Sequence, residues 1–167
     1  STITTLNGIQ NWDTSNVEDM SGMFAFFSRY MLYLPHVSKW DISNLRNATD
    51  MFRLSYTINA LMLNSWVVSE DLIIDSIFEG MTSLHALTIT ESMFNRIMNS
   101  TSGIAFTDWY YGSTKIGTQS WSDLGLNTPA AATFTKYPQD ETRLDKEFSN
   151  KYSDPIDIAD WRYSGGF

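Results

Sequence analysis

Cysteine is absent from this 167-residue chain. No disulfide framework, thiol nucleophile or thiolate metal site is therefore available to it. Histidine is nearly absent as well: His36 and His85 occupy different positions of the repeat frame described below and have no H-x-x-x-H companion, so a metal site is not expected. Basic charge is scarce, with 11 Lys and Arg against 19 Asp and Glu and a net charge of -8. A nucleic-acid partner needs a basic stripe to displace counterions, and that class is set aside. No apolar run approaches the roughly 20 residues that span a bilayer. Nor does the chain open on a basic segment followed by an apolar one. Direct membrane insertion of this segment is not expected.

What is present is repetition. Trp12, Trp40 and Trp66 are spaced by 28 and then 26 positions. Twelve residues after each comes Phe24, Phe52 or Phe78, preceded by Met23, Met51 or Ile77. Serine follows each tryptophan by three positions, at Ser15, Ser43 and Ser69, and Met20, Ala48 and Ile74 hold the eighth. A unit of this size buries its apolar face only against a neighbouring copy, so the period predicts stacked coils with the tryptophans one above another. Ahead of the tryptophan, Leu61 and Leu63 alternate as a half-buried strand would. After it, Val17, Met20 and Phe24 lie at i, i+3 and i+7, as do Leu45, Ala48 and Phe52, which predicts a short helix. Ser15 and Glu18 have the spacing of a capping box at its start.

A fourth unit is clipped. Leu84, Leu87 and Ile89 repeat the strand phrase, and Thr90 or Ser92 is placed to cap a helix reaching about Asn99. The expected fold class is α/β: a short solenoid of parallel strands with short helices on the outer side, over residues 1–99. Residues 100–167 are expected to form a β-rich C-terminal cap. Asp13 and Asp41 fall in register on adjacent coils, a like-charge contact that requires each to be held by backbone donors of its own turn. Beyond Gly103 the texture turns to glycine, threonine and aromatics, with Leu144, Phe148 and Tyr152 spaced as one helix face.

Candidate sites are few. The strand face of the expected solenoid carries two columns, one with Gly8, His36, Met62 and Thr88, the other with Gln10, Ser38, Asn64 and Thr90. His36, Ser38, Met62, Asn64, Thr88 and Thr90 are the candidate binding residues on it. Trp109, Tyr110 and Tyr111 could stack on a sugar ring, although packing within the cap is the simpler use of such residues. Asp154, Asp157 and Asp160 recur every three residues but lack the glycine and glutamate of a calcium loop. No G-x-S-x-G elbow or comparable context accompanies any Ser, His and Asp, so neither catalysis nor a cofactor is expected.

The phrase running from Trp12-Asp-Thr-Ser-Asn-Val through Met23-Phe24 resembles the repeat of BspA-like bacterial surface proteins. These are leucine-rich-repeat-related proteins, and the likeness is to Gram-positive members such as those of lactobacilli and enterococci. It is specific in the first unit, good in the second and degenerate in the third. The resemblance implies a leucine-rich-repeat-like solenoid, a secreted or wall-attached location and an adhesive role, with a host or matrix protein or a surface glycan as partner. It brings no catalytic residues. A carbohydrate-binding domain using the aromatic cap is the alternative. Because the chain opens on a partial repeat, an export signal and an anchor are expected to lie outside it.

Overall fold

The computed structural model describes residues 6, 8–27, 34, 37–127 and 130–139. Within them, residues 20–26, 48–54 and 74–80 are tandem turns, and their backbone N–H groups alternate in destination. Those of Met20, Gly22, Phe24 and Phe26 donate to the carbonyls of Asn47, Thr49, Met51 and Arg53 at 2.8–2.9 Å, while those of Met23 and Ala25 turn back to Met20 and Gly22. The next segment repeats the scheme: Ala48, Asp50, Phe52 and Leu54 donate onward to Ile73, Asp75, Ile77 and Glu79. Ser76 and Phe78 then donate to Thr101 and Ser102. An α-helix would keep every one of these bonds inside the segment, four residues back. Here half of them leave it and tie one unit to the next.

The residues explain the choice. Gly22, Asp50 and Ser76 hold equivalent positions with φ of 64°, 57° and 52°, and Phe26, Leu54 and Gly80 follow four residues later with φ of 55°, 58° and 72°. Two left-handed residues in one segment exclude a right-handed helix. Short polar side chains reinforce this by capturing nearby donors: the Ser21 N–H donates to Asp19 Oδ1 at 2.7 Å, and that of Thr49 to Asn47 Oδ1 at 3.0 Å.

Turning this way brings the same side chain of each unit to the same place. Phe24, Phe52 and Phe78 form a column of rings with centroids 5.8 and 6.1 Å apart and planes within 3° of parallel. Tryptophan keeps the register. The Trp40 indole N–H donates to the Ile9 carbonyl at 2.8 Å, and the Trp66 indole N–H to the equivalent Val37 carbonyl at 2.9 Å. Trp12 and Trp40 stack at 5.9 Å, and Trp66 packs 6.5 Å from Phe52.

Strands form only late in the chain. They are β1 (Ala60–Leu63), β2 (Ala86–Ile89), β3 (Tyr110–Tyr111), β4 (Thr114–Lys115) and β5 (Ala132–Thr135). They make one open sheet in the order β1-β2-β5-β3-β4, in which β1 and β2 are parallel and the other pairings antiparallel. The single helix among the described residues, α1 (Glu91–Met98), begins at Thr90, whose hydroxyl accepts the Met93 N–H. Phe94 on α1 meets Phe106, Trp121 and Phe134 at 5.4–5.8 Å and so joins the stack to the rest of the core.

This overturns the expected solenoid of parallel strands with outer helices. Where the first two strands were expected, the described residues form 3-10 turns at Ile9–Asn11 and Val37–Lys39. Where helices were expected after Trp12 and Trp40, there are turns joined by isolated parallel bridges, Asp19 to Asn47 and Asn47 to Ile73. The i, i+3, i+7 spacing arises from turns whose buried residues recur with nearly the same period. Ser15 accordingly forms no capping box. Its hydroxyl and its N–H both donate to Asp13 Oδ1. The expected helix through Leu144, Phe148 and Tyr152 and the Asp154, Asp157 and Asp160 series lie outside the described residues.

Candidate functional site

The expected binding columns are placed unevenly. Every residue of β1 and β2 is buried, so Met62 and Thr88 face no solvent. The Thr88 hydroxyl pairs with that of Thr133 on β5 at 2.8 Å. Thr90 is spent on structure, capping α1 and donating to the Trp66 carbonyl at 2.6 Å. Ser38 is buried, and its carbonyl accepts from the Ser65 hydroxyl. Asn64 is half-buried, with Oδ1 enclosed and unpartnered among the described residues. Gly8 and Gln10 are half-buried at the first 3-10 turn. His36 lies outside the described residues. An open strand face carrying these side chains is therefore not what β1 and β2 present, because all of their residues are buried.

The aromatic cluster divides in the same way. Trp109 is 4% exposed and its ring lies 5.5 Å from Phe106, whereas Tyr110 and Tyr111 are half-buried, Tyr111 against Phe134 at 5.7 Å. One edge of Trp109 lines a cavity of about 390 Å³ together with Thr82, Asp108, Lys136 and Tyr137. Tyr137 is 67% exposed at its mouth. Asp108 also holds Lys115 at 2.8 Å, and this hydrogen bond raises the Lys115 ammonium above its ordinary value. Tyr137 did not stand out in the sequence, since nothing in its spacing marks it apart from Trp109.

A larger groove, about 710 Å³, lies at the other end of the molecule. Trp12, Asp13, Val17, Asp19, Met20 and Met23 line it.

The perturbed carboxylates belong to turns. Asp13 is held below the usual carboxylate range by the Ser15 hydroxyl and N–H, Asp19 by Ser21, and Asp41 by the Ser43 N–H and hydroxyl. Asp13 in turn opposes ionisation of Asp41, the like-charge contact expected from their register. Each aspartate is thus tied to its own turn. Among the described residues, no group of three His, Cys, Asp or Glu is arranged to hold a metal, and no helix is long and apolar enough to cross a membrane.

Where unit three departs from the first two, its surface changes character. Val67 replaces the aspartate of the first column and Ile73 that of the second, with exposures of 71% and 48%. Polar columns at Asp13 and Asp41, and at Asp19 and Asn47, therefore each end in an exposed apolar residue.

Residues 1–109 match the family described as "Mycoplasma protein of unknown function, DUF285". No curated protein and no solved structure matches the chain.

Proposed function

The chain belongs to the DUF285 family, and from that premise we propose that it is a non-catalytic surface module of a bacterium that makes contact through the exposed side of its stacked turns. The carrying observation is the placement of Val67 and Ile73. Two apolar side chains stand in solvent where the Asp13–Asp41 and Asp19–Asn47 columns end, and exposed apolar side chains bordered by polar groups suit a contact surface. The resemblance to BspA-like surface repeats of Gram-positive bacteria supports the location and the adhesive role. Host or matrix protein is the partner class, and the acidic rim favours a basic patch on it.

The test is adhesion of cells or beads displaying the chain to extracellular-matrix proteins, with Val67→Asp and Ile73→Asp introduced together. Both positions are solvent-exposed, so the fold is retained and binding is lost if this face makes the contact. Binding that survives the pair places the contact elsewhere.

A second reading rests on a specific feature, the cavity beside Trp109. Asp108, Lys136 and Thr82 supply polar groups there and Tyr137 a free ring, a combination that suits a sugar. Tyr137→Ala, which leaves the core intact, would abolish glycan-array binding if that cavity is the site. Glycan binding unaffected by the change, or absent from the parent, removes this reading.

A further inference from the structure

The stack of turns is polar. Within the turns the alternate N–H groups donate forward to the next unit's carbonyls, and only just ahead of them do Arg46 and Asn47 donate back to Glu18 and Ile73 back to Arg46, so the two ends of the stack differ chemically. At the amino-terminal end the acceptor row is open: among the described residues nothing donates to the carbonyls of Asp19, Ser21, Met23 or Ala25, the equivalents of the Asn47, Thr49, Met51 and Arg53 carbonyls that are each bonded. The side chains tell the same story. Met23 is 37% exposed where Met51 is fully buried, and Trp12 is 52% exposed where Trp40 is 3%. These residues line the 710 Å³ groove.

We infer that this end face is a docking surface for one further turn of the same repeat type, presenting N–H donors at alternate residues and a phenylalanine over Phe24. The interior shows what covers such a face, because the identical face of unit two is covered by unit one. An apolar ligand alone would fill the groove and leave four carbonyls without donors. A second folded copy of the chain does not fit, since its alternate N–H groups from Met20 to Phe26, from Ala48 to Leu54, and at Ser76 and Phe78 are all committed internally. The occupant is therefore a repeat turn whose own donor row is free. The inference is independent of the adhesive reading.

The experiment inserts a duplicate of residues 9–36 directly ahead of Ile9 in the full chain and follows peroxide oxidation of Met23 by mass spectrometry. In the parent chain Met23 should oxidise many-fold faster than Met51. With the duplicate in place its rate should fall to that of Met51, and the Trp12 indole N–H should become protected from exchange by the copied Ile9 carbonyl. A glycine-serine insert of equal length should give no protection, and proline in the duplicate at the positions of Met20 and Phe24 should abolish it by removing donors. Unchanged Met23 reactivity beside the duplicate overturns the inference. So does protection that persists with the prolines, which would mean burial without the hydrogen-bonded register. Concentration-dependent protection of Met23 in the parent chain would name a second copy as the occupant and likewise overturn it.

Discussion

Trp12 and Trp66 are the same residue in the same frame, and the molecule treats them in opposite ways. Trp66 is wholly buried, bonded through its indole to Val37 and packed 6.5 Å from Phe52, with β1, β2 and α1 closing over the units around it. Trp12 stacks on Trp40 with one face and leaves half of itself in solvent. The local turn after each is nevertheless alike in Met20 to Phe26 and Ile74 to Gly80. A repeat's sequence therefore sets its turn, whereas its burial depends on which neighbour is present.

The comparison is broken most directly by truncating both tryptophans. Trp66→Ala should cost about 3–5 kcal/mol in urea unfolding, the range for a large buried aromatic. Trp12→Ala should cost less than about 1.5 kcal/mol, since only part of the ring's area is removed from water. Equal losses would mean that the amino-terminal turn is as enclosed as the interior.

The next effect contrasts two glycines. A Cβ on Gly103 would sit 2.6 Å from both Cα and N of Glu79, at a φ of 87°, whereas one on Gly112 meets nothing within 4 Å at a φ of 59°. Gly112→Ala should lower stability by only the left-handed strain, about 1–2 kcal/mol. Gly103→Ala should lower it further, because the backbone of the third turn must move away from the segment that closes it. Thermal melts of the pair rank them.

A smaller effect of opposite sign belongs to Ser76, a non-glycine residue at φ 52° where unit one has Gly22. Ser76→Gly should raise stability by up to about 1 kcal/mol in the same urea assay. Its N–H bond to Thr101 is untouched, so a loss of stability would show that the hydroxyl has a use of its own.

The smallest effect is pH dependence. Asp13, Asp19 and Asp41 are lowered in the fold, so the stability they add is present above the unfolded carboxylate value near about 3.9. It is lost as pH falls through their lower folded values. Unfolding followed from pH 6 down to 2 should therefore show a decline that is shallower in the Ser15→Ala, Ser43→Ala double variant. Identical slopes would show that those serines do not set the titration.

Much of this was legible. The tryptophan spacing anticipated the stacking of Trp12 on Trp40, and the strand phrases around Leu61 and Leu87 located β1 and β2. Of the two expected caps, Thr90 and Ser92, Thr90 starts α1, whereas the column of phenylalanine rings was expected as a helix face. The aspartates at 13 and 41 required local partners and have them. The turns were not legible, because apolar residues at i, i+3 and i+7 are common to a helix and to tandem turns with forward-pointing donors. Only Gly22 and Gly80 advertise left-handed residues, while Phe26, Asp50, Leu54 and Ser76 adopt that conformation without being glycine. The pairing of β5 with β2 was hidden for another reason. β5 reaches β2 across more than forty residues, and no pattern within either strand reports that pairing.

The central claim is that alternate N–H groups leave each turn for the next. Scalar couplings transmitted through hydrogen bonds test it without substitution. The predicted spectrum links the Phe24 nitrogen to the Met51 carbonyl carbon, Phe52 to Ile77 and Phe78 to Ser102. Couplings from Phe24 to Met20 and from Phe52 to Ala48, the pattern of two ordinary helices, would contradict it.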